Sequence, residues 1–298
     1  MKVPVIRLGP VSVYLGEKSG KYPDGNQVVV RGADTLAAFD TPLVANRLGD
    51  ELLAADLVVL GHVHEDHMAG LHRLPGAPVY VHEADAEAAR SWDGLARHYG
   101  YTPGVLAGMH AKIEREFHYA PRPDALAYAE GANWDLGGGV TVRAIHTPGH
   151  TSGHCVLLVE PGGIAFIGDI DLSSFGPYYG DATSSLAAFR GTLAAVKDIP
   201  ARAWITSHHK GVITDRGTFL DLLAAFGSRL DAREEAIASF LRASPATLEE
   251  LIAHRFVYPR DRDELFYEDV ERRTIAQHLE ALARAGRARE EDGRWHVV

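Results

Sequence analysis

Three histidines and two acids crowd the stretch "GHVHEDHMAG" at residues 61–70: His62, His64, Glu65, Asp66 and His67. Imidazoles and carboxylates that close together are costly to bury unless a positive charge is shared among them, and a divalent metal ion supplies one. His62 and His64 stand two apart, so in an extended segment both side chains leave on the same side. Asp66 and His67 then turn to a second position close by. The spacing reads as one ligand pair for each of two neighbouring metals. Two such ions about 3.5–4 Å apart hold a shared hydroxide at neutral pH and polarise a carbonyl or phosphoryl oxygen, the chemistry of metal-assisted hydrolysis.

The remaining ligands are offered where strands are expected to end. "VTVRAIHTPGHTSGH" brings His146, His150 and His154, "IAFIGDID" brings Asp169, and "RAWITSHHKG" brings His208 and His209. Sites gathered from distant strand ends are how open α/β architectures build their chemistry. The elements behind them are short β-branched runs: "VSVYLG", "NQVVVRG", "DLVVLGH" and "APVYVH", then the runs just quoted and "HCVLLVEPGG". Helical patterns are expected at 43–55, 83–90 and 184–198, and the mixture makes an α/β protein with buried sheets flanked by helices. Residues 91–135, aromatic-rich and mostly helical in pattern, read as an insertion packed on a sheet or covering a pocket.

From residue 244 the pattern changes. Thr247 with Glu250 three residues on opens a helix with a capping box. Val270, Ile275, Leu279 and Leu282 then follow near helical spacing up to Gly286, and Asp292-Gly293 marks a hairpin. Helix, helix, hairpin predicts a small winged-helix-like domain at 244–298 behind a catalytic domain at 1–243.

The chain of 298 residues carries a formal charge of −10, which argues against a general nucleic-acid binder. Its single cysteine, Cys155, excludes an internal disulfide and a multi-cysteine zinc site and fits a reducing compartment. With no signal-peptide core in "MKVPVIRLGP" and no run of membrane-spanning length, a soluble cytoplasmic protein is expected. Walker A, G-x-G-x-x-G, H-E-x-x-H and G-x-S-x-G motifs are missing.

Over about residues 1–240 the sequence resembles the metallo-β-lactamase superfamily, whose signature H-x-H-x-D-H matches His62-Val-His64-Glu-Asp66-His67, with "FDT" at 39–41 where the family has an early strand-end aspartate. The resemblance implies an αββα sandwich and two divalent metal ions. Zinc is the first choice, and iron, manganese and nickel suit the same donors. It also implies one ion on His62, His64 and His150, another on Asp66, His67 and His208, and Asp169 between them. His209 competes with His208 for the last place. The commonest zinc β-lactamases place a cysteine where this chain has Asp169, so the resemblance points to the glyoxalase II and lactonase branches. The expected activity is hydrolysis of an ester, thioester or lactone of a small molecule. Asp66 would orient the attacking hydroxide, and Tyr178 or Tyr179 would donate to an oxyanion. The alternatives are an RNA-cleaving nuclease using the C-terminal arginines Arg272, Arg273, Arg284, Arg287 and Arg289, and a mono-iron sulfur dioxygenase. A small-molecule substrate is favoured over nucleic acid, no membrane partner is expected, and the oligomeric state is open, a dimer included.

Overall fold

Residues 3–298 are described by the computed structural model. The β-branched runs pair into two sheets. The first holds β1 (Val5–Leu8), β2 (Val11–Tyr14), β3 (Gln27–Arg31), β4 (Leu36–Phe39), β5 (Leu57–Val59), β6 (Val79–His82) and β7 (Leu126–Tyr128), side by side in chain order. β1 to β4 are antiparallel neighbours, and β4 to β7 are parallel. The second runs in the order β13 (Val212–Ile213), β12 (Ala203–Ile205), β11 (Ile164–Phe166), β10 (Cys155–Glu160), β9 (Thr141–His146), β8 (Asn133–Asp135), with β11 and β12 parallel.

Both sheets are covered on both faces, which is why their strands read as continuous apolar runs. In β3, Val28 and Val30 face the second sheet while Val29 faces outward. In β10, Leu157 and Val159 face the first sheet while Val156 and Leu158 face outward. Outside the first sheet lie α1 (Asp50–Leu53), α2 (Ala86–Arg90), α3 (Trp92–Tyr99) and α4 (Pro103–Phe117); outside the second lie α5 (Leu186–Val196) and α6 (Arg216–Ala243). The layers are helix, sheet, sheet, helix: the αββα sandwich that was expected.

Local expectations fared unevenly. The helix read over 43–55 is broken, because Gly49 separates a 3-10 turn at Leu43–Arg47 from the single turn of α1. The insertion at 91–135 is helical only through α4; β7 and β8 complete it, one joined to each sheet. The 28-residue α6 was not foreseen, although Phe219, Leu223, Phe226 and Leu230 mark its buried face.

The chain ends in α7 (Leu248–His254), α8 (Tyr267–Arg284) and a hairpin of β14 (Ala288–Glu291) and β15 (Arg294–Val297). Thr247 and Glu250 form the capping box, and Asp292 and Gly293 turn the hairpin at φ +51° and +74°. A separate core of Ile237, Leu241, Leu251, Ile275, Leu279 and Leu282 holds this unit together. The last turns of α6 add Ile237, Ala238 and Leu241 to that core. Among the described residues no helix is long and apolar enough to cross a membrane.

Candidate metal centre

β5 ends at Val59 and delivers His62 at a bend and His64 on extended backbone, before the 3-10 turn Glu65–His67 redirects Asp66 and His67. His150 follows β9, Asp169 follows β11 and His208 follows β12. The two sheets thus contribute ligands at one end of the sandwich. In a first cluster, His150 Nε2 lies 3.2 Å from His62 Nε2 and 3.1 Å from His64 Nδ1. In a second, Asp66 Oδ2 lies 3.1 Å from His208 Nε2 and 3.7 Å from His67 Nε2. Asp169 reaches both: its Oδ2 is 3.4 Å from His150 Nε2, and its Oδ1 is 3.2 Å from His67 Nε2 and 3.5 Å from His208 Nε2.

Each of four of these histidines is aimed by a bond on its other nitrogen. His64 Nε2 meets Asp181 Oδ2 at 2.7 Å, and His67 Nδ1 meets Asp40 Oδ2 at 2.8 Å. His150 Nδ1 donates to the Tyr178 carbonyl at 3.0 Å, and His208 Nδ1 to the Gly20 carbonyl at 2.8 Å. Such partners fix the tautomer and turn a bare nitrogen inward. His154 has a different task. Its Nε2 accepts the Asp169 N–H at 3.2 Å, so its proton sits on Nδ1, facing the Thr147 hydroxyl at 2.9 Å. Gly168 makes this approach possible: its φ is +53°, and a Cβ there would stand 2.6 Å from His154 Nε2. Asp85 braces the ligand loops, accepting from Val63 N at 3.2 Å, Thr151 Oγ1 at 2.7 Å and Gly153 N at 2.7 Å.

The electrostatics call for cations. Asp40, Glu65, Asp66 and Asp181 are buried, and histidines are the only ion-pair partners of Asp40, Asp66, Asp169 and Asp181 among the described residues. Burial would lower the His208 pKa, but Asp169 and Asp66 outweigh it and raise it to about 10. Burial is likewise outweighed at His64, which Asp181 raises to about 9. His150, with weaker carboxylate support against its burial, falls to about 4. His150 Nε2 and His64 Nδ1 face each other although each ring already has a partner on its other nitrogen. His67 Nε2, His208 Nε2 and Asp169 Oδ1 have no hydrogen-bond partner in spite of their closeness. Converging bare donors of this kind fit metal ions, and two groups, His62–His64–His150 and Asp66–His67–His208, each keep their ligand atoms within 4.8 Å.

The remaining histidines, tyrosines and acids divide between the cluster and the rest of the fold. His209 turns away at φ +63°, its Nε2 3.6 Å from Asp171, so His208 faces the cluster. Tyr178 stands beside it, ring centroids 5.7 Å from His150, with its hydroxyl donating to Asp181 Oδ1 at 3.0 Å. Tyr179 is not among the side chains brought together: its hydroxyl meets His278 Nε2 of α8 at 2.8 Å. Glu65 is buried next to the cluster and accepts from Tyr22 at 3.0 Å and Tyr99 at 2.5 Å. His146 stacks on His82, His110 on Trp92, and His118 packs near His72. Cys155 is buried in β10, its thiol pushed up to about 12 by burial. Sequence reasoning missed Asp85, Asp181, Tyr99 and Tyr101. Asp181 closes the same "PYYGD" segment that holds the two tyrosines, and an acid so near candidate donors was the available signal.

Comparison with known proteins agrees with this geometry. The family model described as the metallo-beta-lactamase superfamily matches residues 30–224. A Drosophila melanogaster protein named beta-lactamase-like protein 2 homolog is 24% identical over 255 residues, covering 84% of this chain and 77% of that one. Among solved structures, a metallo-beta-lactamase family protein from Thermus thermophilus superposes with TM-score 0.70 at 23% identity, over 98% of this chain and 99% of its own. A beta-lactamase domain protein from Burkholderia ambifaria gives 0.69 at 17% identity, over 99% and 94%. With histidine and aspartate clusters that could hold metal at the strand ends of a two-sheet sandwich, the chain belongs to the metallo-beta-lactamase superfamily of metal-dependent hydrolases.

Proposed function

We propose that the chain hydrolyses an ester, thioester or lactone of a small molecule at two divalent cations, zinc by preference. His62, His64 and His150 hold one, Asp66, His67 and His208 the other, and Asp169 lies between. The observation that carries this reading is the Asp169 carboxylate, which turns a different oxygen to each cluster. Bound there, such cations supply a water acidic enough to ionise near neutral pH and a Lewis acid for the carbonyl oxygen. The protein does the rest. Asp40, Asp181 and the carbonyls of Tyr178 and Gly20 hold the imidazoles in register. Tyr178 is the candidate oxyanion donor: Tyr101 satisfies the same Asp181 oxygen at 2.6 Å, so the Tyr178 hydroxyl can turn to substrate without stranding a buried acid. A complete second cluster weighs against a mono-iron enzyme.

The C-terminal unit, read as winged-helix-like, supports the small-molecule reading over RNA cleavage. Arg272 pairs with Glu249 and Glu268, Arg284 with Glu280, Arg287 with Glu234 and Arg289 with Glu291. Arg273 is spent on the carbonyls of Tyr99 and Gly100. The basic residues do not form the free stripe that phosphate binding needs. A hydrolysis screen of esters, thioesters, lactones and phosphodiesters tests the proposal. Turnover in one of the first three classes is expected, reduced more than about 100-fold in Asp169→Ala. Cleavage confined to phosphodiesters, or wild-type turnover in the variant, would contradict it.

A further inference from the structure

The connection between α7 and α8, residues 255–266, is pinned more firmly than a surface link requires. The buried carboxylate of Glu271 accepts three successive backbone N–H groups, from Phe256 at 3.0 Å, Val257 at 2.9 Å and Tyr258 at 2.8 Å. Such a nest fixes the backbone at Tyr258. The Tyr258 ring is fixed as well, stacked on Tyr267 at 3.7 Å and 5.6 Å from Phe175. Phe175 lies between Asp169 and Tyr178 in the chain and is 37% exposed, with the Arg233 guanidinium 5.1 Å from its ring centroid.

Another ring, the 42%-exposed Tyr22, borders the ligand cluster. Tyr22 bonds Glu65, and its ring centroid is 6.4 Å from that of His208. Burial holds the Tyr258 hydroxyl well above the usual phenol range, with Tyr267 and Asp181 adding to it. The Tyr258 ring lies 6.2 Å from that of Phe266, which stacks on Tyr101 at 6.3 Å. The Tyr101 and Tyr178 hydroxyls both bond Asp181, the partner of His64. The rest of the unit is locked to the same loops. Arg273 donates to the Tyr99 and Gly100 carbonyls at 3.0 and 2.8 Å and Gln277 to the Tyr179 carbonyl at 3.0 Å, while Arg233 of α6 donates to the Phe175 carbonyl at 2.8 Å.

We propose that the C-terminal unit completes the substrate pocket, with Tyr258 as a specificity-determining residue that takes a planar apolar group of the substrate against the Tyr258–Phe175 surface. This rests on the cluster being a hydrolytic metal site. Aromatic faces favour such groups, and apolar walls beside a few polar atoms are the usual make-up of small-molecule sites.

Isothermal titration of the zinc-loaded full chain with phenylacetate and with acetate tests it, since both carboxylates can reach the same cations. Wild type is expected to bind phenylacetate about tenfold more tightly. Tyr258→Ala and, independently, Phe175→Ala are expected to lose most of that preference with metal content unchanged, while Tyr258→Phe keeps it. A preference that survives both alanine variants, equal affinities in the wild type, or no measurable binding of either carboxylate would overturn the proposal. A preference that behaves as expected in a protein that hydrolyses none of the screened esters, thioesters or lactones would leave the role of Tyr258 standing and remove the hydrolytic reading.

Discussion

Asp181 shows how much of this centre depends on residues that would touch no metal. Wholly buried, it takes His64 Nε2 at 2.7 Å on one oxygen and the hydroxyls of Tyr101 and Tyr178 on the other. Burial would raise its pKa, but His64 outweighs that and holds the carboxyl below the usual range, so it stays an acceptor. Asp181→Asn should weaken metal binding at the first cluster about 10–100-fold, measured by competition with a chromophoric chelator; unchanged affinity would remove the orienting role given to it. The residues of the two clusters were legible as candidates because they come after apolar runs, in segments rich in His and Asp. Asp181 was not, since its partner His64 lies 117 residues away and only the folded chain brings them together.

At the scale of elements, α8 ties the C-terminal unit to the catalytic loops through His278. Its Nε2 meets the Tyr179 hydroxyl at 2.8 Å, and its Nδ1 lies 3.6 Å from Glu234. Burial first, then Arg190 and Arg233, push its pKa down to about 3 against the opposing pull of Asp231. In the unfolded chain the same imidazole takes its proton near the ordinary value of 6.5. Between those values the unfolded state binds more protons, so this contribution is complete above pH 6.5 and is lost as pH falls toward 3. His278→Gln should reduce the fall in unfolding free energy between pH 6.5 and 5 by up to about 1.4 kcal/mol per pH unit, as read from urea titrations. Identical slopes would show that His278 does not titrate across unfolding. Elements with a strong signature were readable from sequence: the capping box of α7, the hairpin turn at Asp292-Gly293, and the long strands β3, β9 and β10. Elements made by context were not. β7 and β13 are three and two residues long, too short for a pattern, and they are strands because a neighbouring edge pairs with them.

For the molecule as a whole, the sandwich is what makes the centre possible. The first sheet supplies His62, His64, Asp66 and His67, the second supplies His150, Asp169 and His208, and the Cys155 N–H bond to the Gly61 carbonyl at 2.7 Å joins the two where the ligand loops begin. Buried sheets flanked by helices were legible because strands covered on both faces leave apolar runs without alternation, whereas the two-sheet layer order came from the family resemblance. The aromatic border was not legible, because Tyr22, Phe175 and Tyr258 come from three separate parts of the chain. We propose that these loops cage a pair of cations with Asp169 between them. Metal content by plasma mass spectrometry on protein equilibrated with zinc and then freed of excess tests it most directly. Two zinc ions per chain are expected in the wild type and no more than one in Asp169→Ala. A wild-type chain that retains only one ion, or none, would contradict the account.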